Sequence, residues 1–201
     1  MMFFKVSVKT LCSTFPASLN EFLITFGSVI LKSCVDSELS FYLRQLRVKA
    51  LNVILENSSH EIRNEFRTSN LQCIEKLLNA LEKVGDYDYQ TSLIEMVFRL
   101  TSSSERNHLV SDWFPNLRVV TQRLFIQIKD FDPDCRRFLN AFNAELGTKR
   151  MVFSYAAINA KIGNFILRKP NVSSYEHLWI DFNLGSRTVS ILFDRSEPNV
   201  E

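Results

Sequence analysis

A mainly α fold, a row of short helices followed by a β-hairpin, is predicted by three observations on the 201-residue sequence. Apolar residues recur at helical spacing from residue 17 to residue 146, in segments too short and irregular for a heptad repeat. Only five glycines and five prolines accompany 17 phenylalanines, which favours well-packed elements over a turn-rich sandwich or a disordered chain. After Gly147 the pattern changes to β-prone alternation, ending in a hairpin signature over residues 178–193.

Residues 17–33 carry Leu19, Phe22, Leu23, Phe26 and Ile30 on one predicted helix face. Residues 37–56 repeat the pattern with Leu43, Leu46, Ala50, Val53 and Ile54. A short segment from His60 to Phe66 follows the break at Asn57-Ser58-Ser59. The next helix opens at Ser69 or Asn70, carries Leu71, Ile74, Leu77, Leu78 and Leu81, and ends at Gly85, which suits a left-handed exit. Asp86-Tyr87-Asp88 reads as a turn before a helix over residues 89–101, whose stripe is Leu93, Ile94, Val97, Phe98 and Thr101. Ser102-Ser103-Ser104 caps a short helix bearing Leu109, Val110, Trp113 and Phe114, and Pro115 stops it. Leu117, Val120, Leu124 and Ile128 mark another. The last runs over about residues 133–146, with Asp132 as cap, Pro133 at the first helical position and Gly147 at the exit. Its stripe is Cys135, Phe138, Leu139, Phe142 and Leu146. Such a succession exceeds a four-helix bundle and fits the stacked helix pairs of an armadillo-like α-solenoid.

Met151-Val152-Phe153-Ser154-Tyr155 is β-prone. In residues 178–193, Gly185-Ser186 forms a two-residue turn of the Gly-first type. That turn pairs Leu184 with Arg187, Phe182 with Val189, Ile180 with Ile191 and Leu178 with Phe193. One face is then almost wholly apolar, and the other carries Trp179, Asp181, Asn183, Thr188, Ser190 and Leu192. A lone hairpin is marginally stable, so the apolar face is expected to pack on helices or on further strands. Residues 149–201 therefore read as the incomplete opening of a β domain behind a helical domain over residues 1–148.

The charge balance, 24 Lys and Arg against 22 Asp and Glu, lacks the basic excess of a typical nucleic-acid-binding domain. Arg118, Arg123, Lys129, Arg136, Arg137, Lys149 and Arg150 give a local basic cast, read as solvated helix faces. Cys12, Cys34, Cys73 and Cys135 stand singly, so neither a disulfide framework nor a zinc site is indicated, and a reducing compartment follows. Lys5 and Lys9 interrupt any signal-peptide core. The apolar run 22–31 is half of the roughly 20 residues that a bilayer requires. Glycosylation sequons at Asn57 and Asn171 carry no weight without a secretion signal.

No catalytic constellation emerges. His60-Glu61 opens like a zinc-protease helix, but Asn64 stands where the second ligand belongs. Asp130, Asp132 and Asp134 resemble the start of a calcium loop, yet Cys135 and Ala141 replace its glycine and its terminal glutamate. Nucleophile-elbow, P-loop and dinucleotide-binding glycine motifs are absent. The candidate functional residues are recognition anchors: Trp113 and Phe114, with Trp113 favoured as a core plug, and Trp179, which the apolar hairpin face excludes.

Three segments, in order, carry a family resemblance. The first is Gly85-Asp86-Tyr87 with Phe98-Arg99-Leu100-Thr101, Glu105-Arg106 and Trp113-Phe114. The second is Asp134-Cys135-Arg136-Arg137-Phe138-Leu139-Asn140, followed by Leu146-Gly147 and Lys149-Arg150. The third is Trp179-Ile180-Asp181-Phe182-Asn183-Leu184-Gly185-Ser186. Together they resemble the N-terminal region of the synaptonemal complex protein 2 family, including its synaptonemal complex protein 2-like paralogues. The resemblance implies an armadillo-repeat-like domain that lacks its N-terminal part here, joined to a domain like the middle domain of the histone chaperone Spt16, a pleckstrin-homology-like β fold. It implies a non-enzymatic scaffold of meiotic chromosome axes and lateral elements in the nucleus, acting through protein–protein contacts. No cofactor, membrane or small-molecule substrate is expected. The implied partners are other axis proteins, with synaptonemal complex protein 3 reached through a C-terminal coiled coil absent from this sequence, and chromatin. A generic α-solenoid adaptor and a chromatin- or histone-binding module are the competing expectations.

Overall fold

The computed structural model describes residues 18–36, 38–169 and 176–193. The readings that concern residues 1–15, Cys12, the sequon at Asn171 and the chain beyond Phe193 lie outside them. Eight α-helices are described: α1 (Ser18–Cys34), α2 (Phe41–Glu56), α3 (His60–Ser69), α4 (Leu71–Val84), α5 (Tyr87–Leu100), α6 (Ser103–Trp113), α7 (Val119–Ile126) and α8 (Phe131–Glu145). A 3₁₀ turn, Gly147–Lys149, leads to strands β1 (Val152–Ala157), β2 (Ala160–Ile162), β3 (Phe165–Leu167), β4 (Leu178–Asn183) and β5 (Thr188–Leu192). The described part of the chain is mostly helical and ends in a small antiparallel sheet.

Local chemistry sets the helix limits. Ser40, Ser59, Asp86 and Ser102 cap α2, α3, α5 and α6 through their side-chain oxygens, and Ser102 with Glu105 completes a capping box. Gly85, at φ 61°, ends α4 in the left-handed region. Two limits differ from expectation. Asp86 starts a helix rather than a turn, and α8 opens at Phe131, because Asp134 Oδ2 accepts the Lys129 and Asp130 N–H groups at 2.8 and 3.1 Å.

The helices stack with a stride of three. α2 packs on α5 and α5 on α8, while α1 packs on α4. Buried amides tie the α2–α5–α8 row. Asn52 Nδ2 donates to the Ser92 carbonyl at 2.8 Å, and Gln90 and Asn143 exchange two hydrogen bonds of 3.0 and 2.8 Å. Asn52, Gln90 and Asn143 thus each find a partner in the neighbouring helix, which holds the stack in register. At the α6–α8 end, Phe114, Phe125 and Phe138 form a ring cluster with centroids 5.2–5.5 Å apart.

The expected stripes of α4, except Leu71, which is exposed, and of α8 face the core, but three others are rotated. In α1 the buried row is Leu19, Leu23, Gly27, Leu31 and Cys34, leaving Phe22 and Phe26 outside. Gly27 takes part because Phe66 of α3 lies against it; a Cβ there would approach the Phe66 ring to 2.7 Å. α2 buries Val48, Leu51, Asn52, Ile54 and Leu55 rather than Leu43 and Val53. α7 buries Thr121 and Phe125 and exposes Val120.

The three-stranded sheet has the order β1-β4-β5, all antiparallel, and β2-β3 forms a separate hairpin that periodicity did not foresee. The β4-β5 register matches the expected one, with Phe182 opposite Val189 and Ile180 opposite Ile191. The packing side is reversed. Asp181 and Asn183 are buried against the helices, whereas Phe182, Leu184 and Val189 are 42%, 54% and 57% exposed. The turn also differs, since the positive φ, 56°, falls at Arg187 and not at Gly185. Val189→Thr therefore changes stability by less than about 0.5 kcal/mol in urea denaturation, as an exposed substitution does.

Candidate interaction site at the helix–sheet joint

The segment 179–186 meets the helical part at the α4–α5 corner and on α8. There Gly85 and Gly185 touch backbone to backbone: the Gly185 N–H donates to the Gly85 carbonyl at 2.8 Å. A Cβ on Gly85 would lie 2.7 Å from the Gly185 nitrogen, and one on Gly185 would collide with the Val84 carbonyl oxygen and sit 2.9 Å from Gly85 Cα. Close approach, not turn geometry, is what requires glycine at 185.

The next two residues on each side lock the contact. Asp86 uses both carboxylate oxygens: Oδ1 accepts the Tyr89 N–H at 2.8 Å as the cap of α5, and Oδ2 accepts the Ser186 hydroxyl at 2.6 Å. The Tyr87 N–H, one of the unpaired donors of a helix N-terminus, donates to Asn183 Oδ1 at 2.8 Å. Asn183 Nδ2 in turn donates to Ser190 Oγ at 3.1 Å on β5.

Arg136 of α8 completes the joint. Its guanidinium donates to both oxygens of Asp181 at 2.6 and 3.1 Å, and the two side chains are only 11% and 5% exposed. The guanidinium carbon lies 3.5 Å from the centre of the Tyr87 ring and 5.1 Å from that of Trp179. A planar cation between two aromatic faces, paired bidentately with a carboxylate, is a geometry that lysine cannot reproduce. Burial pushes the Tyr87 phenol well above its ordinary range, so the ring beside Arg136 stays neutral. Burial likewise raises the neighbouring Cys135 thiol, leaving it an inert core group.

Of the candidate residues, the structure brings Trp179, Asp181, Asn183, Gly185 and Ser186 together against the helices. Ile180, Phe182 and Leu184 lie on the opposite side of the sheet. Trp113 and Phe114 are each 4% exposed inside the ring cluster around Phe125, so they hold the core and present no surface to a partner. Sequence reasoning did not assign Gly85, Asp86, Tyr87 and Arg136 to a site, although the resemblance runs through all four. The signal was the fixed order of three motifs that lie far apart in the chain and meet at one place. Among the described residues, no group of three or more His, Cys, Asp or Glu is placed to hold a metal ion, and no helix is long and apolar enough to cross a membrane. Two of the basic residues are spent internally: Arg136 on Asp181, and Arg150 on the Val152 carbonyl at 2.6 Å.

A helical array keyed to a small sheet by a glycine–glycine contact and a stacked ion pair defines a two-part module, and the comparisons identify its second part. Residues 152–200 match the family model of the synaptonemal complex 2 Spt16M-like domain. Synaptonemal complex protein 2-like from Mus musculus is 32% identical over 181 residues, covering 89% of this chain and 21% of that protein. Synaptonemal complex protein 2 from Mus musculus is 34% identical over 185 residues, covering 90% and 12%. A solved synaptonemal complex protein superposes with a TM-score of 0.72 at 32% identity, covering 86% of this chain and 44% of that one. The chain belongs to the synaptonemal complex protein 2 family. It spans about a fifth or less of the length of these curated relatives.

Proposed function

We propose that this chain is a non-catalytic scaffold module of the meiotic chromosome axis, working in the nucleus by protein–protein contact within the lateral element. The carrying observation is the joint: the residues that the chain shares with its family pattern are spent on holding two parts together rather than on arranging titratable groups around a cavity. Residues 1–148 act as an armadillo-like helical domain, a reading supported by the three-helix stride that stacks α2, α5 and α8. Residues 149–201 act as the Spt16 middle-domain-like, pleckstrin-homology-like β region. The segment 179–186 serves first as the key between them, and its outer residues Ile180, Phe182 and Leu184 are left for contact with further protein. Partners are other axis components.

A second reading, contact with chromatin, draws on the cations that remain exposed, Arg118, Arg123, Lys129, Arg137 and Lys149. It predicts binding to nucleosomes that falls steeply with salt. A generic adaptor role outside meiosis is the third.

Immunostaining of spread meiotic chromosomes with an antibody against this chain tests the proposal. Linear signal along paired axes is the expected result. Diffuse cytoplasmic signal in germ and somatic cells alike would overturn it in favour of the generic adaptor.

A further inference from the structure

We propose that the groove between α2 and α4 binds a short acidic peptide segment through one apolar anchor side chain. α2 and α4 both pack on α5. Between them, capped by the end of α1, lies a cavity of about 270 Å³. Its floor is Leu77, Tyr89 and Leu93, all buried, and Ala80 and Val84 form one wall. Burial pushes the Cys34 thiol up to about 12, so this group lines the cavity as a neutral, apolar surface.

The rim has the opposite character. Arg44 stands on one side and Lys76 on the other. Neither pairs with a carboxylate among the described residues, and the Arg44 Nε is buried without an acceptor. Arg47, close enough to Cys34 to act on its thiol, adds a third positive charge. Elsewhere on this molecule comparable cations are paired: Arg67 with Glu105, Arg99 with Glu95 at 2.7 Å, and Arg136 with Asp181.

An apolar slot under unpaired cations fits a ligand that is apolar at its centre and anionic at its flanks. The volume is at the small end for metabolite sites, which run from about 300 to 1,000 Å³, and suits a single leucine- or phenylalanine-sized anchor. Flanking Asp or Glu would satisfy the Arg44 and Lys76 charges and steer the encounter. The site lies on the helical part and shares with the joint only Val84 and Tyr89, whose backbone atoms meet the joint, so it does not depend on the scaffold reading.

The test is selection of a phage-displayed random dodecapeptide library on the full chain, followed by titration of the enriched peptides against two variants. Ala80→Trp fills the slot; Arg44→Glu with Lys76→Glu inverts the rim and keeps the test open should the tryptophan perturb folding. The expected result is enrichment of peptides with one large apolar residue flanked by Asp or Glu. Their affinity should fall at least tenfold in both variants and weaken as salt rises. Failure to enrich any peptide, enrichment of neutral or basic ones, or equal binding to the wild type and the rim-inverted variant would overturn the proposal.

Discussion

Gly85→Ala lowers the stability of the chain by about 2–5 kcal/mol, the sum of a left-handed conformation and a collision. At φ 61° a residue with a Cβ loses roughly 1–2 kcal/mol. The new methyl would also meet the Gly185 nitrogen at 2.7 Å, a backbone atom that cannot swing away, and overpacking of that kind costs about 1–3 kcal/mol. Two further glycines separate these contributions. Gly147, at φ 54° with nothing within 4 Å of a built Cβ, carries only the conformational cost. Gly185, whose φ is not positive, carries only the collision. Urea denaturation followed by far-ultraviolet circular dichroism should therefore rank Gly147→Ala as the least damaging of the three. Equal losses at 85 and 147 would mean that the glycine–glycine contact contributes nothing.

Asp181→Ala costs about 3–5 kcal/mol, because it leaves the Arg136 guanidinium buried without its carboxylate. The pair is not thereby a large net source of stability. Removing both charges, as Arg136→Met with Asp181→Leu, should recover most of the loss, since an apolar pair of similar volume often matches a buried ion pair. What the double variant gives up is direction: a bidentate pair held between Tyr87 and Trp179 admits one orientation of the sheet on α8, and two aliphatic chains admit several. A double-mutant cycle on unfolding free energy measures the coupling. If Asp181→Ala and the double variant were equally destabilised, the ion pair would not be what the single substitution breaks.

Legibility in the sequence followed the range of the interactions. α4 and α8 were readable because their stripes, Ile74-Leu77-Leu78-Leu81 and Cys135-Phe138-Leu139-Phe142, coincide with what is buried. The hairpin register was readable because a two-residue turn and strict alternation leave one pairing. α1 was not, since Phe22, Ile24, Phe26 and Val29 make it apolar nearly all round, and the choice of face was made by Phe66 fitting over Gly27. In α2 the buried face carries Asn52, which periodicity counts as polar and which Ser92 of α5 satisfies.

The packing side of the hairpin failed for the same reason on a larger scale. Hydrophobic bookkeeping assigns Phe182 and Val189 to the core and Asp181 and Asn183 to water. The order reverses because Arg136 and the Tyr87 N–H, 45 and 96 residues away in the chain, satisfy the polar face. Gly185 was explained by a turn type it does not adopt. The family pattern, which runs through Gly85, Arg136 and Gly185 together, pointed to the joint where local rules could not.

The central claim is that this joint holds the sheet on the helices in one orientation, so that both present their surfaces as a single body. Residual dipolar couplings of backbone amides in a weakly aligned sample of the full chain test it most directly. A single alignment tensor should fit the amides of α2, α5 and α8 together with those of β1, β4 and β5. Separate tensors, with a smaller degree of order in the sheet, would contradict the account and reduce the joint to one of several arrangements that the two parts visit.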